Sequence, residues 1–579
     1  MRLQHRLNQY QRLFSKTGLK SCPVTVGELA AIFFCSERHT RTLLTQFQQA
    51  GWIHWSAQAG RGKRAIITCL QTPDSLREGY LQKLLNEGDH SAALQLSQVD
   101  PRHLNDLLVP HLGAQWQEDA PTLRIPFYRE LQKLDPQTLT GRAEQHIAHT
   151  LHAGLTRFVT GSAVPQPDLA HHWQLAENGY VWQFFLRSQL YWHNGEPLLG
   201  RQLCQIFERL RHSPRSRHHL QNVAAITQPH ALCLQFRLHV PDYWLAHRLA
   251  DLGCLLFHLD EPTVGAGPFR LAHFAPERVR LEQNPYYPLQ RPYLSAIEYW
   301  ISPKLFDEAT RGQISLQHPV RIVLGEQRDM AHVRPVKRST SLGFGYLALN
   351  LRRNGLSQRQ ARKIVALIHQ SGLLDNLPID RNLVTRSREL LPGWPLPSFM
   401  GHDRATLQGP DEPLPPTLTL LFHPPVELEL FADALKSLLA AQGCVLETRF
   451  HSGRLWENAE QLADIDLLLG DRLIGEAPVA TLENWLRQDP LWDAILDDEA
   501  RRAQQQCLLA IQQHPDPTLR EAQLRAHFFR LMQQCSITPL FNYQYQVSAP
   551  PGVNGVQLTA WGWFDFCRAW LPPPIGQTD

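Results

Sequence analysis

The sequence predicts a multidomain protein in which a small, mostly helical winged helix-turn-helix domain precedes a large α/β body. Residues 25–70 contain a short amphipathic helix, a tight turn, a second helix and two strand-like segments joined by a basic loop. The later part of the chain alternates apolar strand-like runs with amphipathic helical patterns, which is typical of α/β domains. At 579 residues the chain is long enough for about three or four domains.

The first domain is predicted to span residues 1–72 and to open on a helix with apolar residues at helical spacing. Thr25 is expected to cap the second helix and Ser36 the third, because their hydroxyls can accept hydrogen bonds from first-turn amides. On the third helix the apolar side chains are predicted to face the core, and the following side chains to lie mostly outward: Glu37, Arg38, Thr40, Arg41 and Gln48.

Positive charge is concentrated in this domain. Residues 1–70 carry ten Lys/Arg against two Glu, a net charge of +8, whereas the whole chain carries only +3. The remainder is therefore slightly acidic, and the positive potential lies where a polyanion would be met. This asymmetry favours double-stranded DNA as the partner of the first domain.

The third helix and the basic loop form the candidate DNA-binding surface. The first residues of an exposed helix can meet base edges in the major groove, and a flexible basic loop suits contact with phosphates. Half-site geometry also favours a homodimer on DNA. An alternative stays open, in which the same fold mediates protein contacts. The predicted DNA-binding residues are Ser36, Arg38, His39, Arg41, Thr42, Arg61, Lys63 and Arg64.

Several sequence features predict a cytoplasmic protein with no membrane partner. The ten cysteines are scattered without a C-x-x-C pair, which favours reduced thiols over a disulfide framework or a zinc site. The N-terminus lacks the apolar core of a signal peptide, and no run of about 18 apolar residues exists. No metal ligands or other cofactors are expected.

Residues 73–118 predict a helical connector, with too few apolar residues for a core of its own, so it is expected to dock on a neighbour. In the body, Thr417–Phe422, Val426–Gln442 and Cys444–Phe450 form the pattern of a βαβ unit, which implies a parallel layer. Further strands are predicted at Val181–Leu186, Cys233–Leu238, Val279–Gln283, Ile297–Ile301 and Gly345–Asn350.

An ordered set of body segments resembles the family 5 extracytoplasmic solute-binding proteins. It includes ProAspLeuAlaHisHisTrp (167–173), TrpHisAsnGlyGluPro (192–197), GlyAlaGlyProPheArgLeu (265–271) and LeuAlaLeuAsnLeuArg (347–352). The resemblance implies a two-lobed, periplasmic-binding-protein-like fold of class II, which in that family binds peptides, nickel or sugars. ArgGlnLeu (201–203) departs from the acidic-hydrophobic pair that often follows the Gly-Glu-Pro segment.

A winged helix in front of such a body resembles the SgrR family of bacterial transcriptional regulators, over essentially the whole chain. GlyArgGlyLysArg (60–64) and GlyTrpPheAspPhe (562–566) are typical of that family. The resemblance implies a regulator whose body, residues 119–579, senses a small cytoplasmic ligand such as a sugar phosphate, a peptide or another metabolite. The expected lobe 1 comprises about 120–262 plus 540–579, lobe 2 about 263–539, and the hinge Thr263–Gly267 and Asn542–Val547.

Candidate ligand-binding residues come from strand ends and from aromatic side chains. Tyr128 and Arg129 follow the first strand of the body, where open α/β clefts collect ligand groups. Trp394, Trp561 and Trp563 are candidates for stacking against a ligand, with ordinary core packing as the alternative reading.

No catalytic residues are predicted, and the body is expected not to be an enzyme. His146, His149 and His152 recur every third residue, so on a helix they diverge and do not form a metal site. No G-x-S-x-G, H-E-x-x-H or P-loop motif occurs. Two other readings remain: a cytosolic peptide- or metabolite-binding protein whose first domain contacts protein, and a catalytic body.

Overall fold

The structure is a computed structural model that describes residues 3–56, 64–96, 107–117, 119–139, 141–303, 335–336, 343–352, 355–379, 384–400, 412–423, 426–451, 456, 459–543, 547–548, 552–557, 559 and 565–574. Its first part is a winged helix with a three-stranded sheet in the order β1-β3-β2. The elements are α1 (Leu3–Thr17), β1 (Cys22–Val24), α2 (Val26–Phe33), α3 (Glu37–Gln49), β2 (Ile53–Ser56) and β3 (Ala65–Cys69).

The winged-helix core is built from large aromatic rings. Phe47 of α3 stacks on Trp52 with ring centroids 5.2 Å apart, and Tyr10 of α1 meets both rings edge-on. The Tyr10 hydroxyl donates a hydrogen bond to the Gln71 carbonyl at 2.7 Å. These contacts fix α3 against both the first helix and the strands, so its outer face is held in place.

The expected connector is helical, as α4 (Pro73–Asn86) and α5 (His90–Gln95). Thr72 caps α4 by accepting a hydrogen bond from the Ser75 amide, and Pro73 occupies the first turn, where no amide partner is needed. The segment 113–117 of the expected connector belongs to the body instead, because it pairs with the first long strand as the edge of a sheet.

Lobe 1 is built around a five-stranded sheet in the order β12-β13-β14-β5-β4 and a four-stranded sheet in the order β10-β11-β9-β8. Its elements are β4 (Gly113–Gln117), β5 (Ala120–Phe127), α6 (Arg142–Leu151), β6 (Thr156–Val159), β7 (Ser162–Pro167), β8 (Ala170–Ala176), β9 (Val181–Leu186), α7 (Gly200–His212), α8 (Arg217–Leu220), β10 (Val223–His230), β11 (Cys233–Leu238), α9 (Leu245–Arg248), β12 (Phe269–Phe274), β13 (Arg278–Gln283) and β14 (Ala296–Ile301).

The expected boundary between the lobes was wrong. β14 pairs in parallel with β5, so the strands within 269–301 belong to lobe 1 and not to lobe 2. Val553, Phe566, Ala569 and Leu571 pack on the same sheet, as expected for lobe 1, but 540–543, also expected in lobe 1, belong to a strand that pairs with Gly343–Gly345 in lobe 2. Here lobe 1 denotes residues 113–303 and 552–574, and lobe 2 denotes 343–543.

The expected hinge at Thr263–Gly267 was also wrong. Gly267 donates a backbone hydrogen bond to Leu151, and the Gly265 carbonyl accepts one from His193, all within lobe 1. These glycines permit close backbone approach, because a Cβ at either position would collide with the Leu151 backbone. β15 (Pro335–Val336) and β22 (Val547–Ser548), which lie between the two lobes in sequence, pair as a two-stranded antiparallel ladder.

Lobe 2 contains a six-stranded sheet in the order β17-β21-β16-β20-β18-β19. β18 and β19 are parallel and joined by a helix, which confirms the predicted βαβ unit. The elements are β16 (Gly343–Leu349), α10 (Gln358–Gln370), α11 (Leu373–Asn376), β17 (Val384–Arg386), β18 (Thr417–Phe422), α12 (Val426–Ala440), β19 (Val445–Phe450), α13 (Ala459–Ala463), β20 (Leu467–Leu473), α14 (Pro478–Gln488), α15 (Pro490–Ile495), α16 (Asp498–Gln512), α17 (Pro517–Gln533) and β21 (Ile537–Tyr543).

Candidate nucleic-acid interface and ligand-binding edge

The N-termini of α2 and α3 are fixed by the two predicted caps. The Thr25 hydroxyl accepts from the Glu28 amide at 3.2 Å, and the Thr25 amide donates to the Glu28 carboxylate at 2.8 Å. This backbone hydrogen bond, aided by the nearby Arg64, lowers the pKa of Glu28. The Ser36 hydroxyl accepts from the His39 amide at 3.3 Å, so it acts as the N-cap of α3. Ser36 therefore has a structural function in addition to its predicted one.

The outer face of α3 carries the predicted DNA-binding residues. Arg38, Arg41 and Thr42 are exposed, and His39 is half-buried. Arg41 forms an exposed ion pair with Glu37 at 3.1 Å. Thr40, predicted to lie mostly outward, is buried, and its hydroxyl donates to the Ser36 carbonyl at 3.1 Å. The exposed cations thus lie along the first two turns of the helix, as major-groove reading requires.

The wing contributes one described cation. Arg64 lies directly before β3 and pairs with Glu28 at 2.7 Å, and both side chains are about half-exposed. Arg61 and Lys63 lie outside the described residues. Because exposed ion pairs contribute little net free energy, Arg64 can exchange its carboxylate partner for a phosphate at small cost.

The predicted ligand residues of lobe 1 follow β5 at the carboxyl end of two parallel strands. Tyr128 is 52% exposed. Arg129 is held by Glu144, with hydrogen bonds of 2.6 and 3.0 Å. Burial alone would raise the pKa of Glu144, but the Arg129 guanidinium and the Gln132 amide hold that pKa below its ordinary value. Arg129 is thereby oriented at the strand end, beside the exposed Tyr128 ring.

Trp394 is not a ligand platform. Its side chain is only 2% exposed and packs in the lobe 2 core against Phe528, with ring centroids 6.0 Å apart. Its indole N–H donates to Glu521 at 3.2 Å, so both its apolar and its polar parts have partners within the lobe. Trp561 and Trp563 lie outside the described residues.

A buried charged network, which the sequence reading missed, joins the two lobes. Arg248 of lobe 1 donates two hydrogen bonds to Glu483 of lobe 2, at 2.9 and 3.0 Å, and also binds Asp242 at 2.8 Å. Burial alone would raise the pKa of Glu483, but Arg248 and Arg487 lower it to about 2. The Tyr243 amide adds a hydrogen bond across the lobes to the Gln512 carbonyl at 2.9 Å.

Helix α6 and the residue after it carry the three histidines that were considered as a metal site. Within the described ranges, no three His, Cys, Asp or Glu side chains converge to hold a metal ion. In the part of the chain that the structure describes, no helix has the length and apolar run that a membrane span requires.

The architecture defines a class of protein: a two-lobed solute-binding fold with a basic winged helix docked on it. Solved solute-binding structures share the fold of the body. The dipeptide-binding protein of a Pseudoalteromonas species, in complex with Met-Leu, aligns with a TM-score of 0.63 at 15% identity, over 78% of this chain and 100% of that one. The murein tripeptide-binding protein MppA of Escherichia coli aligns with a TM-score of 0.62 at 16% identity, over 79% of this chain and 99% of that one.

Sequence comparison identifies the family. Residues 5–119 match the family "Sugar transport-related sRNA regulator N-term", and residues 164–369 match "Bacterial extracellular solute-binding proteins, family 5 Middle". The protein YbaE of Escherichia coli is 49% identical over 99% of this chain and 100% of its own length. The HTH-type transcriptional regulator SgrR of Yersinia pestis is 27% identical over 98% of both chains. The chain belongs to the SgrR family.

Proposed function

We propose that this chain is a DNA-binding transcriptional regulator whose body senses a small ligand. Because its proposed partner is DNA, we place the protein in the cytoplasm. The observation that carries the proposal is the packing of a basic winged helix, through α4 and α5, onto a lobe of a solute-binding fold. The full-length similarity to the regulator SgrR supports it. The body is proposed to bind its ligand without transforming it.

The proposed ligand is a small polar molecule: a sugar phosphate, a peptide or another metabolite. Support comes from the fold, since one neighbour is a dipeptide-binding protein and another a murein tripeptide-binding protein. A ligand that touches both lobes only when they are close favours the closed arrangement. Closure would change how a winged helix, or a homodimer of them, is presented to DNA.

The proposed DNA contacts are tested by genome-wide occupancy of the tagged protein. We expect discrete sites for the natural protein and their loss when Arg38→Ala and Arg41→Ala are combined. Arg502→Ala, which removes an exposed arginine of α16 far along the chain, is the matched control and should retain the sites. Absence of discrete sites, or sites that survive the double substitution, would contradict DNA regulation.

The purified protein offers a second measurement. Each arginine that neutralises a phosphate steepens the fall of DNA affinity with salt, by about 0.9 in the double-logarithmic slope. The double variant should bind more weakly and with a shallower slope, by at most about two such steps, since Arg41 already pairs with Glu37. An unchanged slope together with unchanged affinity would exclude both residues from the interface.

One observation favours the alternative, in which the first domain contacts protein. Phe34, in the turn between α2 and α3, is 82% exposed and has a left-handed backbone with φ of 51°. A large apolar side chain in a strained and exposed position is typical of an interaction site. Under the main proposal, Phe34→Ala should leave genome-wide DNA occupancy intact. Under the alternative, the same substitution should abolish binding of the protein partner.

A further inference from the structure

Helices α4 and α5 contact two domains at once. Towards the winged helix, Leu76, Tyr80 and Leu96 pack against its core. The buried guanidinium of Arg77 donates to Asn8 and Gln11 of α1, at 3.0 and 2.7 Å. On this side the connector is therefore an integral part of the winged helix.

The opposite side of the same helices packs on lobe 1. Trp300 of β14, which is 0% exposed, belongs to one buried apolar cluster with four side chains of α4 and α5: Leu81, Leu85, Ala93 and Leu94. The His90 ring lies 5.0 Å from the Trp300 ring. Gln95 adds a hydrogen bond of 2.9 Å to Glu277. We call these contacts of α4–α5 with β14 and with Glu277, directly before β13, the junction.

The sheet holds Trp300 in a single orientation. Its indole N–H donates to Glu298 at 3.0 Å, and the Arg124 guanidinium of β5 lies 5.0 Å from the ring centroid. Arg124 also donates to Glu298 at 3.1 Å and to the His111 carbonyl at 3.2 Å. Since Glu298 and Arg124 are both buried, movement of Trp300 would break hydrogen bonds inside the sheet.

The junction lies close to the proposed ligand-binding edge of lobe 1. Trp300 is paired with Pro126 of β5, so the junction lies two residues before Tyr128, about 7 Å along the strand. The Ser302 amide, two residues after Trp300, donates to the Phe127 carbonyl at 3.0 Å, which ties the end of β14 to the end of β5 beside Tyr128. The connector thus contacts lobe 1 beside the proposed ligand edge, on the last strand of lobe 1 that precedes lobe 2 in sequence.

We propose that the junction transmits lobe movement to the winged helix. The winged helix and α4–α5 then follow lobe 1, and lobe 2 is the part that moves against it. A change at the end of β14 or at Tyr128 reaches α5 through Trp300, which is packed too tightly to absorb it. This inference rests on the proposed function, because the transmitted change is read as altered DNA binding.

The test uses two leucines of one short segment that face different partners. Leu94 packs in the junction and Leu96 packs on the winged-helix core, and both are buried. In the full-length protein, Leu94→Ala should raise hydrogen exchange in 90–95 and 296–301, with the winged helix unchanged. Leu96→Ala should raise exchange in α1 to α3 instead. Equal exchange profiles for the two variants would overturn the assignment of these faces.

Transmission of lobe movement to the winged helix is measured by a double-mutant cycle that combines Leu94→Ala in the junction with Glu483→Gln in the lobe contact. Glu483→Gln weakens the lobe–lobe network, and affinity is measured for a duplex carrying the site of highest genomic occupancy. We expect Glu483→Gln to change that affinity about fivefold or more in the natural background and not in the Leu94→Ala background. The same change in both backgrounds, or none in either, would overturn the proposal.

A second readout does not depend on DNA. Glu483→Gln should alter hydrogen exchange in α5, which is remote in sequence from Glu483, and Glu177→Gln, which removes an exposed ion pair with Arg237, should not. If no duplex is bound while α5 still responds, the proposed function fails and the junction stands. If the duplex is bound while α5 does not respond, the junction fails alone.

Discussion

Lobe 1 is held on two sides by contacts of opposite chemical character. The junction with α4–α5 is largely apolar, with leucine and alanine side chains in one buried cluster with Trp300. The contact with lobe 2 is a charged network, in which Arg248 bridges Asp242 and Glu483. Both contacts are buried, but the free energy of the first depends on apolar area and that of the second on hydrogen-bond geometry.

The difference shows which contact suits movement. Apolar burial is favourable in proportion to the area removed from water, and a close-packed apolar contact resists displacement. A buried ion pair is favourable only when every hydrogen bond is made, and it loses most of its benefit once one partner moves away. The junction is therefore built to stay closed, and the lobe contact to exist in two discrete states.

The largest expected change in stability comes from the charged network between the lobes. Glu483→Ala leaves Arg248 and Arg487 buried with one carboxylate fewer, and should destabilise the folded protein by about 3–5 kcal/mol. The free energy of unfolding from urea denaturation is the measurement. The matched control is Glu177→Ala at the exposed pair with Arg237, which should change stability little. A small effect at Glu483 would mean that the lobes are not held by this network.

An intermediate effect is expected within the junction. Trp300→Phe keeps an aromatic ring but removes the N–H that donates to Glu298, at a cost of about 1–3 kcal/mol for the lost partner of a buried carboxylate. The loss should appear as faster exchange in both 90–95 and 296–301, measured by mass spectrometry. Trp116→Phe, which removes a more exposed indole N–H donor to the Pro572 carbonyl, provides the comparison and should cost less.

Acid should weaken the junction through His90. Burial, together with Arg124, lowers the pKa of His90 from 6.5 to about 4, against the opposing effect of Glu298; Arg278 and His111 also lie near. The undocked histidine binds a proton below pH 6.5 and the docked one only near 4, so the stabilisation is complete above 6.5 and declines as pH falls towards 4.

Hydrogen exchange in 90–95, corrected for intrinsic rates, should therefore rise between pH 6.5 and 4. His90→Asn should remove that dependence, and His230→Asn, at an exposed position of β10, should not. A pH-independent junction in the natural protein would show that His90 stays neutral whether or not α5 is docked.

The smallest effect is expected at the polar rim of the junction. Gln95→Ala removes an exposed hydrogen bond to Glu277 and should cost no more than about 0.5–1.5 kcal/mol. Gln174→Ala, at the exposed hydrogen bond to Gln183 on β8 and β9, is the matched control, and denaturation curves compare the two. If Gln95→Ala lowers the free energy of unfolding as much as Leu94→Ala, polar contacts contribute as much to the junction as apolar ones. The contrast between the junction and the lobe contact would then disappear.

The sequence predicted the features that neighbouring residues determine. The caps by Thr25 and Ser36 follow from a hydroxyl two or three residues before exposed amides, and the βαβ unit follows from the periodicity of one continuous segment. The outward arginines of α3 were predicted for the same reason.

Features that depend on distant segments were not predicted. The lobe boundary depends on the pairing of β5 with β14, whose Arg124 and Glu298 are 174 residues apart in sequence. Trp394 is core because α17 covers it with Phe528 and Glu521, more than a hundred residues later. Neither the pairing of β5 with β14 nor the packing of α17 on Trp394 can be recognised from the residues next to them in sequence. Hydrophobic periodicity indicates that a side chain is buried, but not which segment buries it.

The ion pair between Arg64 and Glu28 has a consequence for how DNA affinity should vary with salt. Most phosphate-binding arginines displace small cations condensed on DNA and gain their counterion only on binding. Arg64 already carries an intramolecular counterion in Glu28, and Arg41 carries one in Glu37. Binding at these two positions exchanges one anion for another and leaves a carboxylate near the phosphate backbone. The salt dependence of the natural protein should therefore undercount its phosphate contacts, and Glu28→Gln should steepen it.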